Sequence, residues 1–199
     1  KDRKFHRAGE MTPAEFAAKF VTVPLRDYVC LVHDPRPTSP VGATLTIDFL
    51  GNVVGGEAVR YLNVDLAAMK RAAVRTIQSG SPVWFGCDMG KMVRRDLGLM
   101  LRDLFDFATL YGADFSFPKA ERLLYHQSQM SHAMLLTGVD VAAGRPRRWR
   151  VENSWGDEVG QKGFFLMDDG WFDEYVFEIA CPRRFISPAL QRAWRKPPI

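Results

Sequence analysis

Ser131-His132-Ala133-Met134-Leu135-Leu136-Thr137-Gly138 and Trp149-Arg150-Val151-Glu152-Asn153-Ser154-Trp155-Gly156 are the two stretches on which the reading of this chain turns. The first runs from a histidine into a mostly apolar segment, Met134 to Val141. The second alternates, with Trp149, Val151 and Asn153 on one face of an extended strand. His132 therefore stands at a strand entrance, where a buried sheet can hold an imidazole still. Asn153 closes the alternating strand 21 residues later, and Trp155 follows two positions on.

Outward from this core, Lys162 to Met167 and Tyr175 to Cys181 read as strands around an Asp168-Asp169-Gly170 turn. Upstream, Pro82 to Cys87 reads as a buried strand, and Asp96 to Phe107 favours helix. Asp65 to Ser79 is expected to be helical, with Leu66, Met69, Ala73 and Ile77 as its apolar stripe and Gly80 as its C-terminal glycine. Thr12-Pro13-Ala14-Glu15 is a capping box with proline at the first helical position, and Phe16 and Phe20 share a face.

Asp27 to Val32 reads as a short strand, ended by the proline-rich loop Asp34 to Pro40. Leu45, Ile47 and Phe49 alternate with polar residues, as a half-buried strand does, before Gly55-Gly56 breaks the pattern. Residues 182–199 hold four of the 12 prolines and are expected to be an irregular tail after one body spanning residues 1–181. Helices come early and strands late, which predicts an α+β fold rather than alternating βαβ units.

The 199 residues suit one domain or a large part of one, with 47% hydrophobic and 25% charged residues. A net charge of +4 permits weak attraction to polyanions but does not make a nucleic-acid reader. The basic runs around Arg145 to Arg150 and Arg183 to Lys196 read first as solvated faces. Cys30, Cys87 and Cys181 are odd in number and widely spaced, fitting neither a zinc pattern nor a disulfide framework. A reducing compartment is expected, with no metal and no cofactor. No stretch is apolar enough to span a membrane. The charged start, Lys1 to Arg7, has no apolar run after it and does not read as a signal peptide.

Of the four histidines, His132 stands out by its context. A cysteine peptidase needs a thiolate nucleophile with an imidazole beside it, held in one tautomer and rotamer. A side-chain amide accepting the imidazole's other N–H does this without adding a full charge. A neighbouring tryptophan can cover that bond and keep water from competing. Asn153 and Trp155 could supply both. The same residues also fit a purely structural role, with Asn153 capping a turn, Trp155 in the core and Gly156 supplying a turn dihedral.

These two blocks resemble the catalytic blocks of the bleomycin hydrolase/aminopeptidase C family, a branch of the papain-like cysteine peptidases. Four further stretches resemble the same branch: Cys30 to Pro37, Val83 to Lys91, Lys119 to Leu123 and Trp171 to Val176. Trp84-Phe85-Gly86-Cys87-Asp88 is the most specific of them. The resemblance implies a papain-like α+β fold with its sheet-rich half here, and a thiol aminopeptidase acting on peptides. It also implies a cytoplasmic homo-oligomer, a hexamer in the family. On it, His132 is the base, Asn153 its orienter and Trp155 the shield, while Ala133 lies near the substrate side-chain pocket.

Two departures accompany the resemblance. The family's nucleophile sits early, in a Cys-Trp motif at a helix start, and none of the three cysteines has that setting. Cys87 is followed by Asp88, whose charge disfavours a thiolate, and it reads as a small core residue. The chain is therefore expected to be the His- and Asn-bearing part of a longer peptidase, inactive alone. The family's C-terminal arm, which limits cleavage to free amino ends, is also not found. A non-catalytic binding module on the same fold is the alternative, and a transglutaminase-like thiol enzyme is a more distant one.

Overall fold

The computed structural model describes residues 4–51 and 53–199; residues 1–3, part of the charged start, lie outside them. Helix α1 (Pro13–Phe20) has the expected capping box: Thr12 accepts from the Glu15 amide, and Glu15 accepts from the Thr12 amide at 2.7 Å. Strand β1 (Tyr28–Val32) follows, then the short strands β2 (Thr44–Leu45) and β3 (Tyr61–Asn63). Helix α2 (Leu66–Gln78) is capped by the Asp65 side chain, and Gly80 adopts φ 84° just beyond its end. Its apolar stripe, with Met69 and Ala73 fully buried, packs on the sheet.

Strand β4 (Val83–Cys87) is followed by the two-residue strands β5 (Val93–Arg94) and β6 (Leu99–Met100), then by helices α3 (Phe107–Tyr111) and α4 (Lys119–Leu124). The long hairpin of β7 (His132–Ala142) and β8 (Arg145–Glu152) comes next. Strand β9 (Phe164–Asp168), helix α5 (Asp169–Tyr175), strand β10 (Val176–Pro182) and helix α6 (Pro188–Trp194) complete the described residues. They form one ten-stranded sheet in the order β2-β3-β1-β10-β4-β7-β8-β9-β6-β5. Its core centres on Phe85, Leu136, Trp149, Trp171 and Phe172, all inaccessible to solvent. Trp149 and Phe172 stack at 4.9 Å.

Several expectations are corrected. The Leu45-Ile47-Phe49 strand shrinks to two residues, because Ile47 and Phe49 find no layer to pack against and Phe49 turns to φ 61°. Asp96 to Phe107 is not a helix. Gly98, at φ 66°, leaves no room for a side chain against the Phe164 carbonyl, and Leu99–Met100 pairs in parallel with β9. The Asp168-Asp169-Gly170 turn is instead a helix start, with the Asp168 carboxylate accepting from the Trp171 amide at 2.6 Å. The tail is ordered: Ser187 caps α6 with Pro188 at its first position, Ile186 is buried, and Thr44 Oγ1 donates to the Ala193 carbonyl at 2.9 Å.

Candidate active site

Strand pairing brings the candidate residues together. Ala143 (φ 49°) and Gly144 (φ 74°) form a two-residue turn with both φ values positive, the geometry that matches strand twist and fixes hairpin register. In that register Leu135 faces Glu152. Continued by one residue, it sets Asn153 diagonally from His132 on one face of the sheet, within reach of long side chains. The other side of β7 is held by β4, where Cys87 pairs with His132 and Ser131 donates its amide to the Cys87 carbonyl at 2.9 Å.

The outcome is a hydrogen bond of 2.9 Å between His132 Nε2 and Asn153 Oδ1. Its polarity is fixed by a second donor: the Ser154 main-chain N–H donates to the same Oδ1 at 2.8 Å. A backbone N–H can only donate, so the atom facing His132 is the amide oxygen, and Nε2 must carry the proton. In the neutral ring Nδ1 is then the basic nitrogen. The Asn153 amide nitrogen is buried without a hydrogen-bond partner.

Trp155 lies 4.9 Å from the His132 ring, tilted by 33°, and is propped edge-on by Phe165 at 6.2 Å. Gly156, at φ 87°, turns the chain directly after it. Ala133 is not part of this cluster. It alternates to the other face of β7, opposite Gly86, where Met130 sulfur occupies the space that a Gly86 side chain would need. Sequence reasoning missed two contributors: the Ser154 amide, which any residue type supplies, and Arg95, whose guanidinium lies 4.8 Å from the Trp155 ring centre.

The three cysteines are free. Burial pushes the Cys30 thiol up to about 12, helped by the nearby Glu178 carboxylate, and Cys181 likewise to about 12. Burial, with the charge of Asp88, raises Cys87 as well. The Cys87 thiol donates to the His132 main-chain carbonyl at 3.7 Å. Each environment disfavours the thiolate that nucleophilic attack requires. Among the described residues no group of three or more His, Cys, Asp or Glu side chains is placed to hold a metal ion. No helix among them is long and apolar enough to cross a membrane.

A histidine oriented by an asparagine beneath a tryptophan is an arrangement suited to thiol catalysis. The model of the Peptidase C1-like family matches residues 1–199. This chain belongs to that family. It is 39% identical over 199 residues to Aminopeptidase C of Listeria monocytogenes, covering all of this chain and 45% of that protein. It is 42% identical over 188 residues to Aminopeptidase C of Lactococcus lactis subsp. cremoris, and 37% identical over 205 residues to bleomycin hydrolase of Gallus gallus. These alignments cover 94% and 100% of this chain, and 43% and 45% of the respective relatives.

The crystal structure of PepW from Lactobacillus rhamnosis superposes with a TM-score of 0.89 at 41% identity, covering 96% of this chain and 43% of that one. The expected α+β, papain-like class and the aminopeptidase C/bleomycin hydrolase branch both stand. This peptidase-family chain spans less than half the length of the relatives it matches.

Proposed function

We propose that this chain supplies the general base and its orienting amide to a cytoplasmic thiol aminopeptidase that releases amino-terminal residues from peptides. The observation that carries the reading is the His132–Asn153 hydrogen bond, whose oxygen assignment leaves Nδ1 as the basic nitrogen. His132 Nδ1 takes the proton of a thiol contributed by sequence outside these 199 residues. The thiolate attacks the substrate carbonyl, and the imidazolium returns the proton to the departing amine. Water then attacks the thioester with His132 again acting as base. Asn153 keeps the ring aimed through both steps, and Trp155 keeps their bond dry. The aminopeptidase specificity rests on the names of the relatives, and the location on three unpaired cysteines. Homo-oligomer assembly belongs to the same proposal.

The test is an assay of the purified chain with fluorogenic amino-terminal amides under reducing conditions. No turnover is expected, with or without Cys87→Ser. Thiol-dependent turnover that survives purification and disappears in Cys87→Ser would make Cys87 the nucleophile and overturn the proposal.

A further inference from the structure

Trp155 is half-buried, and one of its neighbours on the exposed side is Arg95. The two line a shallow surface depression with Asp96, Glu158 and Val159. The neighbouring Arg94 is paired with Asp96 at 2.6 Å, whereas among the described residues no carboxylate lies within ion-pair distance of Arg95. Its contact is the indole. A guanidinium suits that place, since it is planar, weakly hydrated and stacks on aromatic faces.

The Arg95 main chain is held as firmly as its side chain is aimed. Its carbonyl accepts from the amides of Gly160 at 3.0 Å and Gly98 at 3.3 Å. Those two glycines sit backbone to backbone: a Cβ on Gly160 would stand 3.3 Å from the Gly98 Cα and 2.7 Å from the Phe164 carbonyl oxygen. The segment bearing Arg95 is thereby tied to the loop that follows Trp155. One contact fixes the indole from its side chain, the other from the main chain.

We propose that Arg95 is a positioning residue, acting through Trp155 to keep the His132–Asn153 hydrogen bond shielded from water. The proposal rests on the reading of His132 as the base. Arg95 acts only on the ring that lies over His132.

The experiment uses the 199-residue chain with labelled histidine, as wild type and as Arg95→Ala, Arg95→Lys and Arg94→Ala. In Arg95→Ala the His132 ring protons should lose part of the displacement imposed by the Trp155 ring. The Nε2–H should exchange with water about two- to fivefold faster, the range an exposed cation–π contact supports. Arg95→Lys should recover part of both, and Arg94→Ala neither. In a complete peptidase carrying this chain, kcat should fall by the same factor in Arg95→Ala at unchanged KM. His132 signals in Arg95→Ala that match those of Arg94→Ala would overturn the proposal, as would a kinetic loss without spectral change. If the spectra respond as expected but the enzyme turns over without His132, the base assignment fails and the Arg95 contact stands.

Discussion

Two histidines stand at strand ends in this sheet, His33 just after β1 and His132 at the start of β7, and they are held in opposite ways. The partner of His33 Nδ1 is the Val64 main-chain carbonyl at 3.0 Å, an acceptor only, so its proton is on Nδ1. The partner of His132 is a side-chain amide oxygen that takes the proton of Nε2. Burial lowers the basicity of His33, and the charge of buried Lys119 lowers it further, outweighing the nearby Asp173 and Asp34 carboxylates. His132 has an aromatic cover and, with its proton on Nε2, leaves Nδ1 bare on the side away from Asn153. A strand-end histidine becomes chemically useful through what its partner leaves over, not through burial alone.

Breaking this comparison should have its largest effect on turnover. In the complete enzyme, His132→Ala is expected to lower kcat by about four orders of magnitude or more, since general-base and nucleophile groups fail as a unit. His33→Ala should leave kcat within about threefold while lowering the melting temperature, because it frees a buried carbonyl at a cost of about 1–3 kcal/mol. Steady-state kinetics and thermal unfolding of the two variants separate these outcomes. Near-normal rates in the His132 variant would refute the mechanism.

A smaller loss is expected from Asn153→Ala. The base remains but is no longer held in one tautomer, and a lost hydrogen bond to a charged group is worth about 1.5–3 kcal/mol, or about 10- to 150-fold in kcat. Loss as complete as in His132→Ala would mean that Asn153 does more than orient the ring.

The proximity of His132 and Asn153 was more legible than the frame around it. His132 and Asn153 could be paired from sequence because an apolar strand and an alternating strand flank a short turn, and antiparallel register does the rest. Arg95 could not be found this way. It lies in the turn just after the two-residue strand β5, and its approach to Trp155 depends on Gly98 meeting Gly160 across 62 residues of sequence. Two misread segments carried usable signals. Ser187-Pro188 repeats the cap seen at Thr12-Pro13, but the prolines around it favoured an irregular tail. Asp168-Asp169-Gly170 has a turn's composition, yet burial of Trp171, Phe172 and Tyr175 makes it a helix start. Tertiary packing decided the second, whereas in the first the local Ser187 cap prevailed over the neighbouring prolines.

The smallest predicted effect is on stability against pH. The folded-state basicity of His33 is lowered, so below the ordinary histidine range the unfolded chain binds a proton that the folded chain resists. Stability therefore falls as pH drops from about 6.5 to the lowered folded value, with a limiting slope of about 1.4 kcal/mol per pH unit. Lys119, lowered to about 7 chiefly by burial, acts in the same direction between its ordinary value of 10.5 and about 7. Denaturant unfolding from pH 5 to pH 8 should show the His33 and Lys119 contributions as stability rising with pH; above the ordinary thiol range the raised Cys30, Cys87 and Cys181 act in the opposite direction. His33→Asn, which keeps a donor for Val64 but does not titrate, should flatten the acidic part and Lys119→Met the alkaline part. Unchanged slopes in both variants would remove this contrast between the two histidines.

The most direct measurement is the nitrogen NMR spectrum of the His132 ring in its neutral form, resolved through the couplings of its ring protons to Nδ1 and Nε2. The His132–Asn153 geometry predicts a protonated, pyrrole-like Nε2 and a bare, pyridine-like Nδ1, with His33 showing the reverse pattern in the same spectrum. A neutral His132 carrying its proton on Nδ1 would contradict the account, since neither the bond to Asn153 nor a base facing the thiol would then exist.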